Sequence, residues 1–341
     1  MIEDALHLHQ VHFPDRPDRA VTAIANFAAA TRARLTGDPE VTKAAAVELF
    51  DRAVRIGSGP GALSVPDRVM LHANGVNALA DWAALRPGER DGVVLEAIDA
   101  VEQALPTLAG GHSARIRASV NLGGILVGLH HRSPEGTSGE LLDRAHRWLA
   151  EAYEQSRSLP PGDAVREDAA STLAALHFRL GTAADIERAG QLLTESVAAL
   201  AGTESTRLHH TVAANLAQLH LSQGDEDAAV SVLEEARRHA DAVIGRAASP
   251  ATRLAHVASA GDLHQRLALL HARREDARAV MHTVERSRAR WRADQLGPYD
   301  PDEVDRVVAA RLGVGAALLY VGSCGLGSYA VLLVAGHGAG V

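Results

Sequence analysis

The sequence predicts an all-α fold, an α-solenoid of antiparallel helix pairs, followed by a short C-terminal β-hairpin that starts an incomplete α/β domain. Three observations lead to this prediction. Amphipathic helix patterns recur along residues 1–296, hydrophobic residues make up 47% of the chain and aromatic residues 3%, and residues 315–336 switch to a β pattern. So low an aromatic content favours helices packed through Ala, Leu and Val over a β-sandwich.

The clearest helix pair covers residues 207–242. Its first helix carries apolar residues at helical spacing, namely Leu208, Val212, Leu216 and Leu219. Gly224 is a helix stop signal and Asp225 is suited to cap the next helix. The apolar stripe of that second helix consists of Val230, Leu233, Ala236 and Ala240. Because the turn between the two helices is short, we expect them to pack antiparallel.

Copies of this pair recur along the chain. The segment STLAALHFRLG (171–181) aligns without a gap with ANLAQLHLSQG (214–224). Weaker copies allow one position to be followed through five pairs, at Asn26, Asn77, Asn121, Thr172 and Asn215. These positions lie 43 to 51 residues apart. Such spacing predicts a repeat solenoid of about six pairs, the sixth with helices at 250–273 and 275–293.

Boundary signals agree with this organisation. Asp38 before Pro39 and Ser249 before Pro250 each place a capping side chain ahead of a first-turn proline. Thr137 and Glu140 fit a capping box. A further helix is predicted from Asp300 to Gly313. The segment 297–299, Gly-Pro-Tyr, is the predicted linker, so that residues 1–296 form the helical array and 297–341 a second, C-terminal element.

The C-terminal element reads GAALLYVGSCGLGSYAVLLVAG at 315–336. Its two apolar runs flank a glycine-rich turn, which predicts a β-hairpin. A hairpin alone is at best marginally stable, because its apolar faces need further strands or a helix to cover them. We therefore expect it to open a second domain whose remainder lies beyond Val341.

The pair at 207–242 resembles a tetratricopeptide repeat (TPR), with Leu216 and Ala217 as the large–small pair where helices approach and Gly224–Asp225 as the turn. The stretch VERSRARWRADQL (284–296) and the following hairpin are similar to the junction in TPR–CHAT proteins. In that family a helical array precedes a caspase-like peptidase domain. The resemblance implies a regulatory array controlling a Cys–His peptidase. The catalytic pair of such proteins lies downstream of the opening hairpin, so no catalytic residue is assigned here.

Several enzyme chemistries are disfavoured. Lys43 is the sole lysine, and its context suits neither a phosphate-binding loop nor a pyridoxal enzyme. A dyad of Cys324 and His337 would reverse the order in which a caspase-like fold presents these residues. Zincin spacing is missing among the 18 histidines, and His264 and His271 lie roughly 10 Å apart on one helix. We expect no metal, no cofactor and no enzymatic activity from this sequence.

Charge and composition restrict the partners. The formal net charge is −8, which does not favour nucleic acid or an anionic membrane. The arginines at 286, 288, 290 and 292 spread over two helix faces instead of forming one basic stripe. One cysteine and the lack of a long apolar run predict a cytoplasmic protein.

The groove of the solenoid remains as the candidate site, because stacked helix pairs create a concave surface suited to peptides. In the clearest pair, Thr211, Gln218 and Ser222 lie beside the buried stripe and are predicted to bind a peptide backbone. The predicted function is protein or peptide recognition within a CHAT-type system. Two alternatives stay open, an active cysteine peptidase if the chain continues past Val341, and the sensor array of a signalling or transcription regulator.

Overall fold

A computed structural model describes residues 17–32, 38–59, 61–132, 138–291, 299–313, 317–324 and 326–334. Within these ranges the chain forms fourteen α-helices, one short 3-10 turn and one two-stranded antiparallel sheet at its C-terminal end. The predicted fold class, helix pairs of the solenoid type with a C-terminal hairpin, is confirmed. The chain divides into two compact units, residues 1–180 and 181–341.

Unit 1 is built from seven described helices and the 3-10 turn Leu105–Thr107. The helices are α1 Pro17–Arg32, α2 Pro39–Gly57, α3 Val65–Ala83, α4 Asp91–Ala104, α5 Ser113–Arg132, α6 Ser138–Ser156 and α7 Ala164–Leu180. Most neighbours along the chain pack together, and α4 and α5 both contact the 3-10 turn that lies between them. In addition, α3 packs against α5, and α5 packs against α7.

Unit 2 contains the other seven described helices and the hairpin. These elements are α8 Ala183–Leu200, α9 Thr206–Ser222, α10 Glu226–Arg246, α11 Pro250–Ser259, α12 Gly261–Arg273, α13 Ala277–Trp291, α14 Pro301–Gly313, β1 Ala317–Cys324 and β2 Gly327–Val334. None of the described helices is long and apolar enough to cross a membrane.

The helix boundaries follow the local signals in the sequence. Asp38 caps α2 by accepting a bond from the Glu40 amide (2.9 Å), and Asp225 caps α10 by accepting from the Ala228 amide (2.9 Å). Gly224 has a left-handed φ of 80°, which glycine adopts without steric cost. The predicted capping residue Thr137 and the linker residues 297–298 lie outside the described residues.

The predicted sixth pair differs from the structure in two places. Its first helix is broken at Ala260, where the Ala260 amide bonds to the Val257 carbonyl (3.1 Å) in a tighter turn. The following Gly261 has a low helix propensity, which makes a break at this point inexpensive. Glu275 belongs to the turn between α12 and α13, with a φ of 59°, and α13 begins at Ala277.

The close approach of α5 and α6 in unit 1 depends on a glycine, which has no side chain. Gly123 on α5 faces the side chain of Leu149 on α6, which occupies the space that a Cβ atom would need. The helices can therefore approach more closely here than any side chain at position 123 would allow. A separate cluster formed by α1, α2 and α3 buries Ile24, Phe50 and Leu71.

The hairpin packs one face on the last helices of unit 2. Ala317 pairs with Val334 and Cys324 with Gly327. The side chains of Tyr320, Tyr329, Val331 and Leu333 are buried in a cluster with residues of α12 and α13, and α14 adds partly buried Val304, Val308 and Leu312. The opposite face exposes Leu319, Val321, Leu332 and Val334. The predicted boundary between array and C-terminal element at 296–297 stays a prediction.

Candidate functional site

A cavity of about 320 Å³ opens on unit 1, and it is the candidate site. Three helices from successive pairs, α3, α5 and α7, provide its walls and floor. We call it the groove; it is lined by Asn77, Ala80, Asp81, Ala84, Val120, Asn121, Gly124, Ile125, Gly128, Arg132, Asp168 and Thr172.

Helical periodicity explains why these residues converge. The lining positions recur at steps of three and four, as in Asn77 and Asp81 on α3 and Ala84 directly after it. Because helices that follow each other along the chain pack antiparallel, α3, α5 and α7 run in the same direction. Equivalent faces of the three helices therefore meet side by side, and Asn77, Asn121 and Thr172 are the residues that mark the repeat in the sequence.

Carboxamide and hydroxyl groups supply most of the uncharged polar chemistry of the groove. The Asn121 amide nitrogen lies 3.5 Å from the Asn74 side-chain oxygen on α3. The Thr172 hydroxyl donates to the Asp168 carbonyl within α7 (2.8 Å). A carboxamide both donates and accepts, which matches the alternating N–H and C=O groups of a peptide backbone.

The floor of the groove is made of residues with little or no side chain. Ala80 comes from α3, Ala84 directly follows that helix, and Gly124 and Gly128 come from α5. A Cβ atom at Gly124 would reach Thr172 Cγ2 at 3.6 Å, and one at Gly128 would reach Arg132 Nη1 at 3.9 Å, both ordinary contact distances. The floor is therefore open to a side chain from a ligand, and it could be filled by substitution without a clash at the Cβ position.

The charged groups of the groove are tied to neighbouring helices. The Asp81 carboxylate accepts from Arg32 Nε on α1 (2.6 Å) and lies 3.6 Å from Lys43 Nζ on α2. Arg132 reaches Asp91 on α4 at 3.5 Å, while its buried Nε has no hydrogen-bond partner among the described residues. These pairs connect the charged side chains of the groove to α1, α2 and α4.

The three residues predicted from the sequence as peptide-binding lie on α9 in unit 2, and all three are exposed. The Thr211 hydroxyl donates to the Arg207 carbonyl (3.0 Å) and the Ser222 hydroxyl to the Leu219 carbonyl (2.6 Å), both within α9. They do not line the groove of unit 1. Their role in binding, like that of Gln218, stays a prediction.

The repeat alignment nevertheless connects them to the groove. With Asn77, Asn121, Thr172 and Asn215 superposed, Thr211 is equivalent to Asp168, Gln218 to Ala80 and Gly124, and Ser222 to Ala84 and Gly128. The sequence argument therefore selected the helix face that, in the pairs of unit 1, lines the groove. The equivalent positions in the other helix pairs include many of the groove residues. No sequence motif, however, singled out Asp81 and Arg132 as groove residues.

The other residues considered for catalysis or binding in the sequence analysis make contacts within the fold. Lys43 donates to the Arg32 carbonyl (2.5 Å), Arg286 lies over the Tyr299 ring (4.7 Å), and the buried His264 bonds to the Ala260 carbonyl (2.9 Å). Cys324 is half-buried at the end of β1, and His337 lies outside the described residues. In the described part of the chain, no group of three or more His, Cys, Asp or Glu residues is arranged to hold a metal ion.

The fold is similar to that of solved repeat proteins. BtubC (BKLC) from P. vanneervenii is 17% identical with a TM-score of 0.52, over 73% of this chain and 90% of BtubC. Two structures of nearly identical TPR-like repeats assigned to a kinesin light chain of Podosopora anserina are 19% and 20% identical, each with a TM-score of 0.45. They cover 65% and 68% of this chain and 95% and 100% of their own. No family model matches the sequence, and neither does any curated protein. The helix pairs and the likeness to BtubC support a TPR-like repeat fold.

Proposed function

We propose that this protein is a non-catalytic scaffold for protein–protein interaction, and that the groove of unit 1 binds an extended peptide segment of a partner. One observation carries the proposal: three helices from successive pairs bring equivalent polar and small residues to one open cavity. A TPR-like fold is compatible with this use, because stacked pairs form concave surfaces that no single pair has.

The spacing between the helices of the groove suits an extended peptide. Packed neighbouring helices lie roughly 8–10 Å apart. An extended chain rises about 3.3 Å per residue, so that it passes one helix of the groove about every three residues. In this proposal Asn77 and Asn121, on adjacent helices, bond its backbone at such intervals, and the space beside Gly124 and Gly128 takes a side chain.

Filling the floor tests this proposal. A displayed library of random peptides is selected on the full chain, and the affinity of the enriched peptides is measured by fluorescence polarisation. In Gly128→Leu we expect affinity to fall by roughly tenfold or more, because excluding one buried ligand side chain costs about 1.5–3 kcal/mol. Leucine also has the higher helix propensity, so loss of binding would not reflect a weaker helix.

The matched control is Gly139→Leu on α6, an exposed glycine with open space around its Cβ position. It should bind the same peptides as the unmodified chain. Equal affinity of all three proteins would contradict binding in the groove, and failure to enrich any peptide would contradict peptide recognition altogether.

We further propose that the array is the regulatory arm of a CHAT-type, caspase-like peptidase system in the cytoplasm, with the chain itself contributing no catalytic residue. The observation that favours it is the hairpin, which has one face packed on α12 and α13 and an apolar face exposed. Further β-structure of a caspase-like domain would cover that face. The alternative is a sensor array in which the hairpin docks another domain.

The natural gene product distinguishes these two contexts. If it contains a caspase-like segment with a strand-end His-Gly and a later Cys, the peptidase context is supported. If it instead contains a nucleotide-binding or helix-turn-helix domain, the regulator is supported and the peptidase context is contradicted.

A further inference from the structure

Four histidines gather in unit 2 around the N-terminal half of α9. His209 and His210 are adjacent on α9 and both buried, with exposures of 0% and 6%. The ring of His239 on α10 lies 4.2 Å from that of His209, centroid to centroid, and the His210 ring lies 6.3 Å away. His256 on α11 completes the group, which we call the histidine cluster.

The outer members of the histidine cluster are anchored by hydrogen bonds. His239 Nε2 bonds to the Thr203 carbonyl (2.8 Å), and His256 Nδ1 bonds to the Thr206 hydroxyl (2.9 Å). Neither ring nitrogen of His209 has a hydrogen-bond partner in the described part of the chain. Burying an imidazole without a partner already costs free energy when the ring is neutral, and it costs considerably more when the ring is charged.

The groups that act on His209 disfavour its protonated, positively charged form. The titratable groups that act on it are His239 of α10 and His210 of α9 itself. On α11, His256 bonds to Thr206, at the N-terminus of α9. The buried residues of α8, which also packs on α9, are apolar or Ser196. Burial and the two neighbouring imidazole rings all lower the pKa of His209.

We propose that the histidine cluster is an acid-sensitive lock, in which neutral His209 keeps α9 packed against α10 and α11 and protonation of His209 opens that packing. This regulatory property is additional to peptide binding, because no residue of the cluster belongs to the groove of unit 1.

The direction of the pH effect follows from the two states of His209. Burial, then the nearby His239 and His210 rings, lower the pKa of His209 from 6.5 to about 4. The opened state therefore binds the proton more readily. The closed packing has its full stability above pH 6.5 and loses it progressively as the pH falls toward 4. Between pH 7 and pH 5 the opening equilibrium constant rises by about 20-fold from this residue alone.

Hydrogen–deuterium exchange of the full chain tests the lock. Exchange rates of peptides from 206–246 are measured at pH 7 and pH 5 and corrected for the intrinsic pH dependence of amide exchange. We expect the opening equilibrium of these peptides to rise about 20-fold at pH 5. In His209→Phe, which keeps a ring but cannot be protonated, this rise should disappear. His131→Gln, which removes an exposed histidine of α5, should retain it.

A titration of the unmodified chain keeps the proposal falsifiable if His209→Phe does not fold. The imidazole signals are followed by NMR from pH 8 to pH 4, with His209 assigned. A signal that stays neutral until the packing opens supports the lock. A signal that titrates near pH 6.5 in the folded protein overturns it, as does an unchanged pH dependence of exchange in His209→Phe.

Discussion

At the scale of the residue, Glu234 shows how one carboxylate joins several helices of unit 2. It accepts a bond from Arg237 Nε on the same helix, α10 (2.7 Å), and lies 3.7 Å from His271 Nε2 on α12. Arg237 in turn donates to Asp241 (2.9 Å), which Arg286 of α13 approaches at 3.5 Å. Burial raises the pKa of Glu234, but the contact with His271 and the bond from Arg237 outweigh it and lower the pKa to about 2.

This network predicts the effect of neutralising Glu234. Glu234→Gln should lower the free energy of unfolding by about 1–3 kcal/mol at pH 7, because Arg237 loses a charge-assisted bond in a half-buried position. Urea denaturation followed by circular dichroism measures the change. The neighbouring Glu235 is exposed on the same helix, so Glu235→Gln should have little effect. Equal stability of the two variants would contradict the role of the network.

The residues of the groove differ in how far the sequence predicts them. Asn77, Asn121 and Thr172 are visible as repeat markers, because each helix pair places the same helix face toward the groove. Asp81 and Arg132 are not visible in this way, since their surroundings include Arg32, Lys43 and Asp91 on other helices. The histidine cluster is likewise a tertiary feature: His209 and His239 meet because α9 and α10 pack antiparallel.

At the scale of the element, the hairpin is held by a polar contact as well as by its apolar face. The Tyr329 hydroxyl donates to the side-chain oxygen of Gln265 on α12 (2.9 Å). Gly322, opposite Tyr329 on β1, has no side chain, and a Cβ there would lie 2.5 Å from the Tyr329 hydroxyl oxygen. The absence of a side chain at position 322 is therefore what allows Tyr329 to cross the sheet and reach α12.

We predict that Gly322→Ala loosens the hairpin. The added methyl group displaces Tyr329 from Gln265, and overpacking of this kind costs about 1–3 kcal/mol. Amide exchange in residues 317–334 should become faster, while exchange in α1 to α7 should not change. Ser323→Ala, an exposed change on the same strand, is the control. Unchanged exchange in Gly322→Ala would show that the Tyr329 contact does not hold the hairpin.

The sequence predicted the helices and strands better than it predicted a break within a helix. Alternation of buried and exposed residues in 317–334 and the 3–4 spacing of leucines are local patterns, and both elements form where these patterns predict them. The break between α11 and α12 at Ala260 was not predicted, because the apolar pattern continues through it. Local sequence determines the type of each element, whereas its interruptions also depend on packing.

At the scale of the whole molecule, each compact unit has its own features. Unit 1 carries the groove, and unit 2 carries the histidine cluster and the hairpin. The predicted repeat explains both units, since its equivalent positions form the groove in one and place Thr211, Gln218 and Ser222 on the exposed face of α9 in the other. The functional claim for the molecule is peptide recognition by the groove of unit 1.

A structure of the full chain with its best selected peptide tests that claim most directly. We expect the peptide to lie extended across α3, α5 and α7, with its backbone bonded to the carboxamides of Asn77 and Asn121 and one side chain over Gly124 and Gly128. A peptide bound outside this groove, or one that leaves both carboxamides without contact, would contradict the account.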